Sequence, residues 1–165
     1  MSEQRIQGAF LQGLHTELLR VLPAKCHKCL DSWMESGTVR LEPKDQGVSG
    51  VDVAWLTYHA VFSLEALPFR DFDPAILLAV VAAWVQEHDD YRERFDLPDP
   101  TYAVVPADEH TADVEIELQF IEPLSLVADP AGPVRYAGKT WTVAQSEVWF
   151  AEHITLHVAN SQIDL

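Results

Sequence analysis

The sequence predicts an α+β fold in which a mainly antiparallel sheet packs against two N-terminal helices and one central helix. Three observations predict it. The stretch from Asp73-Pro74 to His88 is apolar on nearly every side of a helix, through Ile76, Leu77, Leu78, Val80, Val81, Ala83, Trp84 and Val85. From Ala112 to Glu122 the chain alternates, with Val114, Ile116, Leu118 and Phe120 set against Glu115, Glu117 and Gln119. Between Val51 and Leu67 runs the longest extended pattern, apolar at every even position from Ala54 on: Ala54, Leu56, Tyr58, Ala60, Phe62, Leu64 and Ala66.

Taken in order, Gln4 to Leu22 places Ile6, Ala9, Phe10, Leu14, Leu18, Val21 and Leu22 near helical spacing, so a first helix packs by one face. Pro23 ends it. Cys26, Cys29, Leu30, Trp33 and Met34 then fall at i, i+3, i+4, i+7 and i+8, which predicts a second helix over Cys26 to Met34 capped by Gly37. Thr38 to Leu41 alternates briefly, and Pro43 to Gly50 reads as a polar turn. The strand from Val51 to Leu67 exceeds the usual 5–6 residues, so it should carry a bulge or bend, with its even face in the core. Asp73 as N-cap and Pro74 at the first helical position start the central helix. Asp89 to Asp96, with Pro98 and Pro100, reads as a solvated charged loop. Thr101 to Val105 is a short strand. Asp129 to Pro133 breaks the chain, and the remainder shows a turn at Ala137-Gly138-Lys139 and an alternating set at Val148, Phe150, Ile154, Leu156 and Val158.

At 165 residues and 18.5 kDa the chain has the size of a single domain, expected to span 1–165, able to remove roughly 70% of its unfolded surface from water. The longest apolar run, Pro74 to Val85, falls short of the ~20 residues needed to cross a bilayer, and the N-terminus has no signal-like core. Synthesis in the cytoplasm and no membrane partner are expected. Twenty-six acids against 11 bases leave a net charge of −15, which repels phosphate backbones and argues against direct nucleic-acid binding.

Cys26-His27-Lys28-Cys29 has redox spacing, but it follows a helix rather than a strand, and both thiols fall on an apolar stripe. Zinc would need four ligands, and no second Cys pair exists to supply them. His153 and His157 lie four apart in a strand-like stretch, about 13 Å by strand rise, too far to share an ion. The carboxylates of Glu115/Glu117 and Asp108/Glu109 lie on polar faces with nothing to push their pKa values apart. No nucleophile elbow or phosphate-cradling glycine loop is present. The sequence therefore predicts no catalysis, cofactor or metal. What remains is a surplus of aromatics in strand-like stretches, Trp55, Trp141, Trp149 and Phe150, of the kind that protein contacts favour.

The order of features resembles the phage tail completion protein R family. A helical stretch precedes Gly37, a long strand ends at Leu67, an apolar helix carries Trp84, Glu87 and His88, and an acidic strand ends within Phe120-Ile121-Glu122-Pro123. The likeness covers about residues 20 to 130; Cys26-His27-Lys28-Cys29 and Pro123 depart from the family pattern. The resemblance implies a tail-terminator-like, non-enzymatic virion protein of a contractile-tailed phage or prophage. It would act at the head-proximal end of the tail tube, with tail tube and head–tail connector proteins as partners and a homo-oligomeric ring as its state. Ring closure needs a heterologous interface. The expected contact residues are Trp55, His59 and Glu122, with Trp149, His153 and His157 from the C-terminal strand. Two other readings stand beside this one: an acidic inhibitor or DNA mimic from a mobile element, and a small thiol redox or metal protein using Cys26 and Cys29.

Overall fold

The computed structural model describes residues 8–41, 44–45 and 50–144. Its elements are α1 (Ala9–Val21), a 3-10 turn (Ala24–Cys29), β1 (Leu30–Arg40), β2 (Lys44–Asp45), β3 (Gly50–Leu67), α2 (Pro74–His88), α3 (Tyr91–Arg94), β4 (Thr101–Pro106), β5 (Ala112–Ala128), β6 (Val134–Tyr136) and β7 (Lys139–Val143). The seven strands form one sheet of order β1-β3-β5-β7-β6, with β2 also on β3 and β4 also on β5. Every pairing is antiparallel. The class is α+β, as the sequence predicts.

The long β3–β5 ladder organises the rest. Tyr58 lies opposite Phe120, Ala60 opposite Leu118, Phe62 opposite Ile116 and Leu64 opposite Val114, and all eight are buried. Alternation puts these residues on one face, where α1 adds Phe10, Leu11, Leu14 and Leu18, and α2 adds Leu77, Val81, Trp84 and Val85. The Asp73 side chain accepts the Ala75 N–H at 3.0 Å, which fixes the start of α2 as its N-cap and proline require. Val51, Leu126 and Trp141 make a second, smaller cluster at the far end of the ladder.

The bend expected in the long strand is present twice, between Asp52 and Ala54 and between Leu64 and Leu67. At the second, Ala66 takes φ 58° and turns outward, its N–H bonded to Asp113 Oδ1 at 2.9 Å, so that Leu67 enters the core in its place. The hairpin at Ala137-Gly138 has positive φ at both central residues, 53° and 76°, the two-residue turn whose twist suits antiparallel strands.

Two elements correct the sequence reading. No helix spans Cys26 to Met34: the chain makes a 3-10 turn to Cys29 and then enters β1. Leu30, Ser32 and Met34 pair with Leu64, Phe62 and Ala60, so they share the helix-side face. Ser32 hides this strand by putting a polar group at an inward position, where His15 Nδ1 of α1 meets its Oγ at 2.7 Å. Gly37 is not a helix cap. It sits in β1 just past a register shift, and a Cβ there would run into the backbone carbonyl of Thr57. The charged loop after α2 is also not wholly solvated, because Asp89 is buried and paired to Arg92.

Candidate interaction surfaces

The expected contact residues separate once placed on this frame. Glu122 lies near the centre of the sheet, 7% exposed. Its carboxylate accepts the Ala9 N–H at 3.0 Å and the Phe10 N–H at 2.9 Å, and the Tyr58 hydroxyl donates to the same group. The Tyr58 oxygen in turn accepts the Leu11 N–H at 3.3 Å. Gly8 offers α1 no side-chain cap, so the first amides of the helix are satisfied by a carboxylate carried on β5. Burial, with the Glu122 charge beside it, holds the Tyr58 hydroxyl well above the ordinary tyrosine range. Glu122 is therefore an internal anchor that joins α1 to the sheet.

Trp55 is half-buried beneath the α3 segment, its ring 5.2 Å from Tyr91 and 4.9 Å from Phe95. The guanidinium of Arg94 lies 5.4 Å from the Trp55 ring and 4.9 Å from Phe95, and Arg40 lies 5.4 Å from Phe95. His59 is half-buried on β3 opposite Gln119. Trp149, His153 and His157 lie outside the described residues, as does the strand expected to carry them.

Arg92 secures α3. Its Nη1 pairs with Asp89 at 2.7 Å, and its Nη2 donates to the carbonyls of Gln119 at 2.8 Å and Pro98 at 3.2 Å. Gln119 belongs to the stretch of β5 between the residues paired to β4 and those paired to β7, so Arg92 covers an interval the ladders leave open. Burial raises the Asp89 carboxyl above the usual range, with Arg92 opposing it.

Cys26 is 1% exposed, and burial pushes its thiol up, the reverse of what a reactive thiolate needs. Among the described residues no cluster of three or more His, Cys, Asp or Glu could hold a metal ion. No helix among them is long and apolar enough to cross a membrane.

Sequence reasoning missed the two long edges of the sheet. All six residues of β4 are exposed, including Tyr102, Val104 and Val105, and the segment from Thr101 to Pro106 carries no charge. Between β4 and α2 runs a groove of about 460 Å³ lined by apolar Leu78, Val81, Val85 and Tyr102 and by charged Arg92 and Asp99. At the opposite edge, β1 is exposed from Glu35 onward, with Val39 and the following Leu41 open. The readable signal was apolar residues in a short strand framed by Pro100 and Pro106 and outside the central ladder.

No solved structure matches the chain. It is 33% identical over 153 residues, 93% of its own length and 92% of the relative's, to an uncharacterized 19.2 kDa protein from the rep-hol intergenic region of Haemophilus phage HP1 (strain HP1c1). The profile of the P2 phage tail completion protein R (GpR) family matches residues 9–145, a span that contains α1, the Glu122 anchor and all seven strands. The chain belongs to the P2 phage tail completion protein R family, and its role is a structural one in the phage tail.

Proposed function

We propose that this protein completes the tail at the head-proximal end of the tail tube, as a single-domain, non-enzymatic building block. The observation that carries the reading is the family match over residues 9–145, which takes in every element of the described fold. The geometry fits that role. Its buried polar groups, Glu122, Asp89 and Ser32, are engaged in holding helices to the sheet, whereas the most exposed large apolar side chains among the described residues, Leu41, Tyr102, Val105 and Val39, lie at the sheet edges. Its partners are the tail tube and neighbouring tail or connector proteins, its place is the virion tail, and it works as a homo-oligomer. Of the contact residues expected from sequence, Trp55 and His59 keep that assignment, together with Trp149, His153 and His157. Glu122 acts inside the protomer.

Deleting the gene from the phage or prophage that encodes it tests the reading. Electron microscopy should find filled heads and unjoined or end-defective tails, restored when the protein is supplied. Normal virions without the protein would refute it.

A further inference from the structure

We propose that copies of this chain join edge to edge, the β4 edge of one protomer pairing with the β1 edge of the next, so that their sheets run into one continuous antiparallel sheet. The closed ring rests on the tail-completion reading; the pairing of edges rests on the following geometry.

Four strands lie side by side in the order β1-β3-β5-β4, every pairing antiparallel. Because their number is even, the outer strands β1 and β4 run in opposite directions. A rotation about an axis to which the strands are inclined preserves their sense along that axis, so it brings β4 of one copy against β1 of the next in antiparallel orientation with a stagger set by the tilt, and repetition can close. Among the described residues neither outer edge is paired: β1 pairs with β3 alone and β4 with β5 alone. Two unpaired edges of this kind are templates for another strand.

The side chains agree with this junction. Tyr102 and Val104 lie opposite Ile116 and Val114, which face the helices. Val39 lies opposite Leu56, which also packs on the helix-side core, and Leu41 follows Val39 by one strand period. Tyr102, Val104, Val39 and Leu41 therefore stand on the same face of the sheet, while Val105, opposite Asp113, stands on the other. Joining the edges would place Val39 and Leu41 beside Tyr102 and Val104 and cover the groove between β4 and α2. To bring Val39 level with Val104 the junction must be staggered by eight residues along β5, from Val114 to Glu122. Closing a sheet requires such a stagger, because the strands must tilt. Charge favours the same place. Copies of net charge −15 repel; on one side of the junction β4 and the helix beside it carry no charged residue from Thr101 to Pro106 or from Pro74 to Val85, and on the other β1 brings one acid and one base, Glu35 and Arg40, to its exposed part.

The test uses the full chain as wild type, Val104→Lys and Val39→Lys, alone and on tail tubes that lack their end, with mass read by light scattering and capping by electron microscopy. The wild type should form a closed oligomer or cap the tubes. Each variant should fall to one protomer mass with unchanged circular dichroism, and mixing them in equal amounts should give twice that mass. Only one intact β4 edge and one intact β1 edge remain in the mixture, so growth stops at the pair. If both variants assemble and cap like the wild type, the edges are not the junction, although the tail-completion reading stands. If Val39→Lys alone still dimerises and Val104→Lys does not, two β4 edges pair with each other and the proposal fails. A wild type that neither oligomerises nor caps tubes overturns the proposal and the tail-completion reading together. Tyr102→Lys and Leu41→Lys, at positions 61% and 77% exposed, repeat the comparison should either first variant lose its fold.

Discussion

The centre of the sheet and its β4 edge invert the usual placement of polar and apolar groups. At the centre a carboxylate, Glu122, is buried at 7% exposure among Phe10, Tyr58 and Phe120, whereas at the edge Tyr102, Val104 and Val105 stand 61%, 41% and 57% exposed. The buried acid is tolerated because three donors from two elements meet it. The exposed apolar strand has no comparable partner within the described chain. The difference separates residues that hold the protomer together from residues that its described elements leave exposed.

Substitutions should sharpen that contrast, beginning with the core. Phe120, fully buried, packs 5.4 Å from the Phe10 ring and 5.8 Å from Tyr58. Phe120→Ala should cost about 3–5 kcal/mol in urea denaturation, through lost burial and the cavity left behind. Glu122→Ala comes next, at about 3 kcal/mol, because it strands the Ala9 and Phe10 amides and the Tyr58 hydroxyl. Hydrogen exchange should show the loss first in α1. A Glu122→Ala protein as stable as wild type would mean that the anchor does not tie the helix to the sheet. Asp73→Ala removes only the N-cap of α2 and should cost about 1 kcal/mol. At the edge, Val104→Lys should change stability by no more than about 0.5 kcal/mol, since the position is already exposed. A large loss there would erase the distinction between the two regions.

The smallest effect concerns His15, whose burial between α1 and β1 lowers its pKa below the ordinary 6.5, with Asp31 opposing. Because the folded state binds the proton less readily than the unfolded chain, the contribution is present above pH 6.5 and is lost as pH falls below it. Urea midpoints at pH 7.5 and 5.5 should therefore differ more in wild type than in His15→Gln. Equal differences would show that His15 does not report on the α1–β1 contact.

The sequence was most legible where one face of an element is uniformly apolar. β5, the even positions of β3 and the capped start of α2 satisfy that condition, and so does the Ala137-Gly138 turn, where the backbone demands positive φ. β1 was illegible because Ser32 interrupts its inward alternation while Cys26, Cys29, Leu30, Trp33 and Met34 mimic a helical period across the boundary of a 3-10 turn and a strand. Glu122 reads from sequence as a contact residue because its partners, the amides of α1 and the Tyr58 hydroxyl, are 112, 113 and 64 residues away in the chain. Strand periodicity tells which side chains share a face. It does not tell which edge of a sheet is left without a neighbour, and so the β4 edge emerged only from the pairing order.

The most direct measurement mixes the purified chain with tail tubes lacking their head-proximal end and follows mass and end structure by light scattering and electron microscopy. The expected result is a ring of copies seated on that end, halting further tube growth. A chain that stays monomeric, leaves the tubes open and lets them grow would contradict it.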